Sequence, residues 1–237
     1  MNILAIGAHP DDLEYFCGGT LALYAKAGHR VVMAVATNGN VGSPTLSAQE
    51  IAKVRHEEQK ASCHLIGAEL VWMGFDDEWL FDDRPTRTKF IDAIRYAKPD
   101  VMFVHSQNDY HPDHRNAGKI AEDARIPSNV RLVVTELPAT GKIPHIFQMD
   151  TLAGVGFEPE VFVDVSSTLE IKRKMLLSHH SQVAWSAKMY PDMQFDGQMQ
   201  AQARLRGISA GCGYAEAFRA LKTFPRTGGS HLLPNSI

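Results

Sequence analysis

Cysteine is scarce in this chain of 237 residues: Cys17, Cys63 and Cys212 stand far apart, and no C-x-x-C occurs. That usage speaks against a disulfide framework and favours reduced thiols, hence a cytoplasmic location. Long apolar runs are missing too; none approaches the roughly 20 residues of a membrane span. The N-terminal residues enter a predicted strand at once, so no signal peptide is expected ahead of it. Positive charge is not in excess, since 24 Lys and Arg face 27 Asp and Glu for a net charge of -3. With a pI near 6.4, nothing advertises a surface for nucleic acid or for an anionic membrane, and a small-molecule partner is expected. Neither G-x-G-x-x-G nor a P-loop pattern is present, which counts against nucleotide binding. No internal repeat, low-complexity segment or linker divides the chain, so residues 1–237 read as one domain.

What the chain does have is concentrated at Ile3-Leu-Ala-Ile-Gly-Ala-His-Pro-Asp-Asp-Leu-Glu14. The apolar run from Ile3 to Ala8 reads as a strand buried on both faces, as in a parallel sheet. It runs into His9, Pro10, Asp11 and Asp12, just before Gly18-Gly19 and a helical stretch. In an open α/β sheet the first β-to-α turn is a usual ligand site. An imidazole and two carboxylates there suit a divalent metal and would repel a phosphate.

Helical periodicity then reaches Lys26, Gly28 suits the C′ position, and residues 31–36 form a second buried strand. Residues 37–44 are a turn-rich loop, and Ser47-Ala-Gln-Glu50 is a capping box opening a helix that ends before Gly67. A short strand over 70–73 precedes the acidic aromatic loop 74–83, and Pro85 opens a helix to about Ala97. Strands are expected over 101–105, 131–136, 145–149 and 161–165, with a helix to about Arg125 after the first of these. Ser167 to Glu170 is a second capping-box pattern, opening a helix that ends near residues 178–182. Residues 183–196 lack a clear period and read as a surface lid or oligomer contact, ahead of a last helix over about 197–207. The tail from Arg226 is expected to be loose. Alternating strands and helices predict an α/β fold, a doubly wound three-layer sandwich with a mainly parallel sheet.

Two clusters look alike: His9-Pro-Asp-Asp12 and His111-Pro-Asp-His114. Each leaves the carboxyl end of a predicted strand and enters a helix, so adjacent strands would bring both to one crevice. Residues three apart at a helix start share a face and can reach a common ion. Two imidazoles and a carboxylate with an open fourth position suit a catalytic Zn²⁺ rather than Mg²⁺. The bland alternative is that Asp12 or Asp113 caps the helix that follows. His29, His56, His64 and His231 read as surface or helix-face residues, and His179 and His180 as partners of a helix C-terminus. Trp79, Trp185 and Tyr190 are candidate stacking platforms or packing residues.

With Thr37-Asn-Gly39, Arg55-His-Glu-Glu58, Lys98-Pro-Asp100, Ser181-Gln182 and Tyr214-Ala-Glu-Ala-Phe218, the two motifs resemble the PIG-L/LmbE family of zinc-dependent N-deacetylases across nearly the whole chain. The resemblance implies a Rossmann-like α/β/α fold and one Zn²⁺ held by His9, Asp12 and His114. It also implies Asp11 as general base and His111 as stabiliser of the oxyanion when the acetyl group leaves a GlcNAc-type sugar or conjugate. A trimer or hexamer is implied as well. Asp113 is expected to orient His111 or a ligand histidine, and its charge to favour an imidazolium at His111. Arg55 matches the family arginine near the substrate, though a solvated helix charge is an equal reading. Asp77 sits where relatives use an acidic residue on sugar hydroxyls; five carboxylates in 76–83 could equally form a solvated face. The chain departs from many relatives at Asn40, where they carry an acidic residue, which leaves the substrate open. The competing classes are a phosphoester hydrolase with two metal ions and a non-catalytic nucleotide- or metal-binding module.

Overall fold

Strand β1 (Asn2–Gly7) is apolar from Ile3 onward because both of its faces are covered there. The computed structural model describes residues 1–192, 194–225 and 229–237. In it β1 belongs to a seven-stranded sheet with β2 (Arg30–Thr37), β3 (Glu69–Phe75), β4 (Val101–Val104), β5 (His145–Met149), β6 (Val161–Asp164) and β7 (Ala215–Ala220), in the order β3-β2-β1-β4-β5-β7-β6. The first five are parallel, whereas β7 runs antiparallel to both β5 and β6. The helices are α1 (Asp12–Lys26), α2 (Ala48–Leu65), α3 (Arg84–Ala97), α4 (Pro112–Ala124), α5 (Leu169–Leu177), α6 (His180–Met189) and α7 (Phe195–Ala210). Alternate side chains of β1 serve two layers. Ile3 and Ala5 join Leu13, Phe16 and Leu21 of α1, Met175 of α5 and Met199 of α7. Leu4 and Ile6 join Phe90 and Ile94 of α3 and Ile120 of α4. This is the Rossmann-like three-layer α/β/α sandwich with a mainly parallel sheet that the sequence predicts. Since β1 pairs with β4, and the chain leaves them for opposite layers, their carboxyl ends open onto one crevice.

Local signals near the site hold. The Ser47–Glu50 capping box forms in both directions, Pro85 lies in the first turn of α3, and Gly28 takes a left-handed φ of 79° beyond the end of α1. Other expectations are corrected, each for a physical reason. Residues 131–136 are not a strand: the buried Arg95 guanidinium binds the carbonyls of Val130, Val133 and Leu137 at 2.7–3.0 Å, in competition with a sheet ladder. Strand β7 has no sequence forecast because its inward Glu216 breaks the apolar pattern. That carboxylate accepts from the amides of Gly19 and Thr20, each at 2.8 Å, and pairs with the buried Lys172. The Ser167–Glu170 capping box does not form; the Thr168 hydroxyl instead donates to the Gly19 carbonyl at 3.0 Å, pinning the start of α5 to α1. Of the aperiodic segment 183–196, residues 183–189 are helical in α6 and residues 195–196 open α7; the buried residues of α6 are the polar Gln182 and Ser186. Of the tail, residues 226–228 lie outside the described residues. Residues 229–237 are docked, with Ile237 exchanging backbone hydrogen bonds with Phe162 on the edge strand β6.

Candidate metal centre

The turn between β1 and α1 is held open by a strained residue. Asp11 lies at φ 104° and ψ -23°, in the left-handed region, a conformation costing about 1–3 kcal/mol for a residue with a side chain. Arg55 of α2 offsets it, donating to the Pro10 carbonyl at 2.6 Å and to Asp11 Oδ2 at 3.3 Å. Asp12 Oδ2 accepts the His9 amide at 2.7 Å, so His9 and Asp12 face the crevice together. The turn after β4 is built by other means. Asp109 Oδ1 accepts the His111 amide at 2.9 Å, and His111 is itself the N-cap of α4, its Nδ1 accepting the Asp113 amide at 3.2 Å. His114 follows one turn into the helix.

These turns converge. His9 Nδ1 lies 3.2 Å from His114 Nε2 and 3.5 Å from Asp12 Oδ2, and His114 Nε2 lies 3.2 Å from Asp12 Oδ1. Donors bound tetrahedrally at zinc, with bonds of about 2.0–2.1 Å, sit about 3.3 Å apart. Two imidazole nitrogens, each facing one oxygen of the Asp12 carboxylate at this spacing, fit a divalent ion of that kind. Other donor groups overlap this one: His111 with His9 and His114, His105 with Asp12 and His114, and Asp77 and Asp113 with His9. Their atoms have other partners. His105 Nε2 accepts the Ala8 amide at 3.0 Å, His111 Nδ1 caps α4, and the Asp113 carboxylate accepts the amides of Glu78 and Leu80 at 2.8 and 3.3 Å.

The charges follow from burial and neighbours. Burial opposes charge on Asp12, yet the facing imidazoles of His114 and His105 hold its carboxyl well below the usual range. Burial likewise opposes a cation at His114, but the Asp12 carboxylate and a hydrogen bond to Asp109 raise it to about 9. His9 is raised well above its ordinary value: hydrogen bonds to Asp113, Asp12 and Asp77 overcome burial. Asp11 goes the other way, pushed up to about 6 by burial, with the Arg55 guanidinium opposing. His111 is lowered by burial and by the cationic His9 and His114. Both effects disfavour the imidazolium expected at His111, and with Nδ1 accepting the Asp113 amide, Nε2 is the ring atom left to donate.

The site residues expected from the sequence reach this crevice or its support, whereas Trp79, offered as a stacking platform, is exposed and does not line it. His9, Asp11, Asp12, Arg55, Asp77, His111 and His114 line a cavity of about 600 Å³. Arg55 is only 4% exposed, which removes the solvated-charge reading. Asp77 is buried with Oδ1 3.0 Å from His9 Nε2, so the solvated-face reading fails for it as well. Asp113 does not orient His111 through its carboxylate; that group holds the 78–80 loop and lies 3.5 Å from His9 Nε2. Asn40 bridges the same loop, accepting the Asp77 amide at 3.0 Å and donating to Asp76 at 2.9 Å. An acidic residue there would lose the donor and face a carboxylate.

Sequence reasoning missed Asp109 and His105. Asp109 Oδ2 stands 3.1 Å from His114 Nδ1, where a carboxylate fixes a ligand imidazole. His105 stacks on His114 with ring centroids 4.1 Å apart. The signal for His105 was its place at the end of the strand beside β1. His179 lies just past the end of α5, as expected, its amide donating to the Leu176 carbonyl; it is buried 3.4 Å from Glu14 Oε1, and its charge also favours ionised Asp11.

A family profile described as PIG-L: GlcNAc-PI de-N-acetylase matches residues 4–125. A diacetylchitobiose deacetylase of Thermococcus kodakarensis is 28% identical, over 87% of this chain and 82% of its own length. Among solved structures, an N,N'-diacetylchitobiose deacetylase from Pyrococcus horikoshii aligns with a TM-score of 0.80 at 27% identity, over 92% of this chain and 83% of that one. A 4-carboxy-2-hydroxymuconate hydratase from Pseudomonas putida KT2440 aligns with a TM-score of 0.81 at 22% identity, over 96% of this chain and 98% of that one, a likeness of fold.

Proposed function

The chain belongs to the PIG-L family, and on that premise we propose that it is a zinc-dependent hydrolase removing the acetyl group from the N-acetyl amine of a GlcNAc-type sugar or conjugate. The observation that carries this reading is the convergence of His9, Asp12 and His114 at 3.2–3.5 Å on the wall of a substrate-sized cavity. These three residues would hold the ion, one per chain. Zinc there would supply Lewis acidity, activating water and polarising the acetamide carbonyl.

The protein's own groups supply the rest. Asp11, with its carboxyl near 6, is suited to take a proton from water at neutral pH and to return it to the departing amine. His111 donates from Nε2 to the carbonyl oxygen as charge gathers on it, a donor typically worth about 3–4 kcal/mol of barrier. Asp109 holds His114, and the Asp113 carboxylate holds the 78–80 loop beside His9. Arg55 secures the Asp11 turn and, with Asp77, borders the space for the sugar. A two-ion phosphoester hydrolase would need a second, separate donor set. Among the described residues, two donor groups share no member, Asp12, His105 and His114 in one and His9, Asp77 and Asp113 in the other, but His105 Nε2 accepts the Ala8 amide and the Asp113 carboxylate holds the 78–80 loop, which argues against a second ion.

No helix of the described residues is long and apolar enough to cross a membrane, and a cytoplasmic enzyme is the reading we adopt. Exposed Leu132, Val134, Leu205 and Ile208 would be covered in a trimer or hexamer; a particle of 26.2 kDa in light scattering would reject that assembly. Because the same fold also carries a hydratase, the deciding assay scores the new functional group. Metal-loaded protein should release a primary amine and acetate in equal amounts from N-acetylglucosaminides. Turnover without amine, or none across such a panel, would overturn the reading.

A further inference from the structure

The two sides of the cavity differ in charge and in texture. Four carboxylates line it, those of Asp11, Asp12, Asp77 and Glu78, and among the described lining residues Arg55 is the only Lys or Arg. Its guanidinium is already engaged by the Pro10 carbonyl, the Asp11 carboxylate and, at 3.7 Å, the Asp77 carboxylate. With a divalent ion beside Asp12, Asp77, buried 3.0 Å from His9 Nε2, and the half-exposed Glu78, 3.3 Å from His111 Nε2, would be the carboxylates left bordering the remaining space. The other side comes from α6 and the residues after it. Gln182, Trp185 and Ser186 present one helical face to the cavity. Trp185 and Tyr190 meet edge to face there, with ring centroids 6.2 Å apart at 76°. This explains the missing period in residues 183–196: the inward face of α6 borders a ligand space rather than the core, so no apolar stripe is required.

We propose that the site selects N-acetylglucosaminides whose aglycone is neutral or cationic and presents a flat apolar face to Trp185 and Tyr190, and that it rejects aglycones carrying a carboxylate or phosphate. The inference rests on the deacetylase reading for the seating of the acetamide at His9, Asp12 and His114. Away from the metal ligands, an anionic aglycone would lose its hydration, meet like charge at Glu78 and find no free Lys or Arg among the described lining residues. A cationic one gains from the carboxylates and from the aromatic faces.

The test uses three ligands of one shape: benzyl, 4-(aminomethyl)benzyl and 4-carboxybenzyl N-acetylglucosaminides, with the methyl glycoside as reference. Binding is measured by calorimetry on metal-loaded Asp11→Asn protein, and kcat/KM on the wild type. The benzyl and aminomethyl ligands should each bind at least about tenfold more tightly than the carboxybenzyl ligand. Glu78→Lys should narrow that gap. Trp185→Ala should cut the advantage of benzyl over methyl by about fivefold, while Trp185→Phe keeps most of it. Equal or tighter binding of the carboxybenzyl ligand would overturn the charge selection, and a benzyl advantage untouched in Trp185→Ala would overturn the stacking. Absence of amine release from all four glycosides, with the binding order intact, would instead sink the deacetylase reading alone.

Discussion

The residues that decide the chemistry differ in how they could be read from sequence. His9 and Asp12, like His111 and His114, are three apart at a helix start, so their spacing alone puts each pair on one face. His105 was not legible in this way, because its contact with Asp12 exists only once β4 lies beside β1; Asp109 meets His114 within one turn, but from a loop position that no helical spacing marks. The charge on His111 was misjudged for a similar reason: Asp113 is near in sequence, but its carboxylate turns to the 78–80 loop while His9 and His114 face the ring. Asp11→Asn should keep its metal and lose about 10²–10⁴-fold in turnover, since the amide cannot take a proton; loss of metal in step with activity would show that Asp11 is a ligand. His111→Gln should lower kcat by about 10²–10³-fold. The shape of the pH–rate profile should be unchanged, because the ring acts neutral; an alkaline limb abolished by the substitution would restore the imidazolium. Metal uptake itself is proton-linked. His114 titrates at about 9 in the metal-free chain, and His9 is also raised. Stability from the His114 proton is therefore complete below its ordinary value of about 6.5 and lost as pH rises through about 9. Below that point a metal must displace the protons. Calorimetry near neutral pH, in buffers of different ionisation enthalpy, should register between about one and two protons released per metal bound, and no release would contradict the assignment.

At the scale of elements, the strand–turn–helix units β1–α1 and β4–α4 were plain because each strand is uniformly apolar and each turn begins with a motif. Strand β7 was not, since its Glu216 faces inward to satisfy the amides at Gly19 and Thr20 and to pair with Lys172. That carboxylate ties β7 to α1 and α5, beneath the metal turn. Lys172→Met keeps the volume but leaves Glu216 buried without its cation, a change costing about 3–5 kcal/mol. Urea unfolding should show the loss with an unchanged slope. A variant as stable as the wild type would mean that the two backbone amides and the Thr20 hydroxyl suffice for Glu216. Helix α6 was illegible for the opposite reason. Its buried side chains, Gln182 and Ser186, are polar, so the usual apolar period was absent although the backbone is helical.

For the whole molecule, the parallel, doubly wound architecture followed from buried strands alternating with helices, and the order of β1 and β4 placed the two motifs at one crevice. The opposite wall, from α6 and α7, depends on long-range packing that no local pattern encodes. On the proposed reading, function at this scale rests on one requirement: both motifs would hold a single ion for the cavity to cleave an amide. The direct measurement is amine release from an N-acetylglucosaminide by chelator-treated protein as zinc is returned stepwise. The rate should start near zero and rise in proportion to zinc, levelling off at one equivalent per chain. Amine release that survives chelation, or a rate that appears only as a second equivalent binds, would contradict a single zinc held by His9, Asp12 and His114.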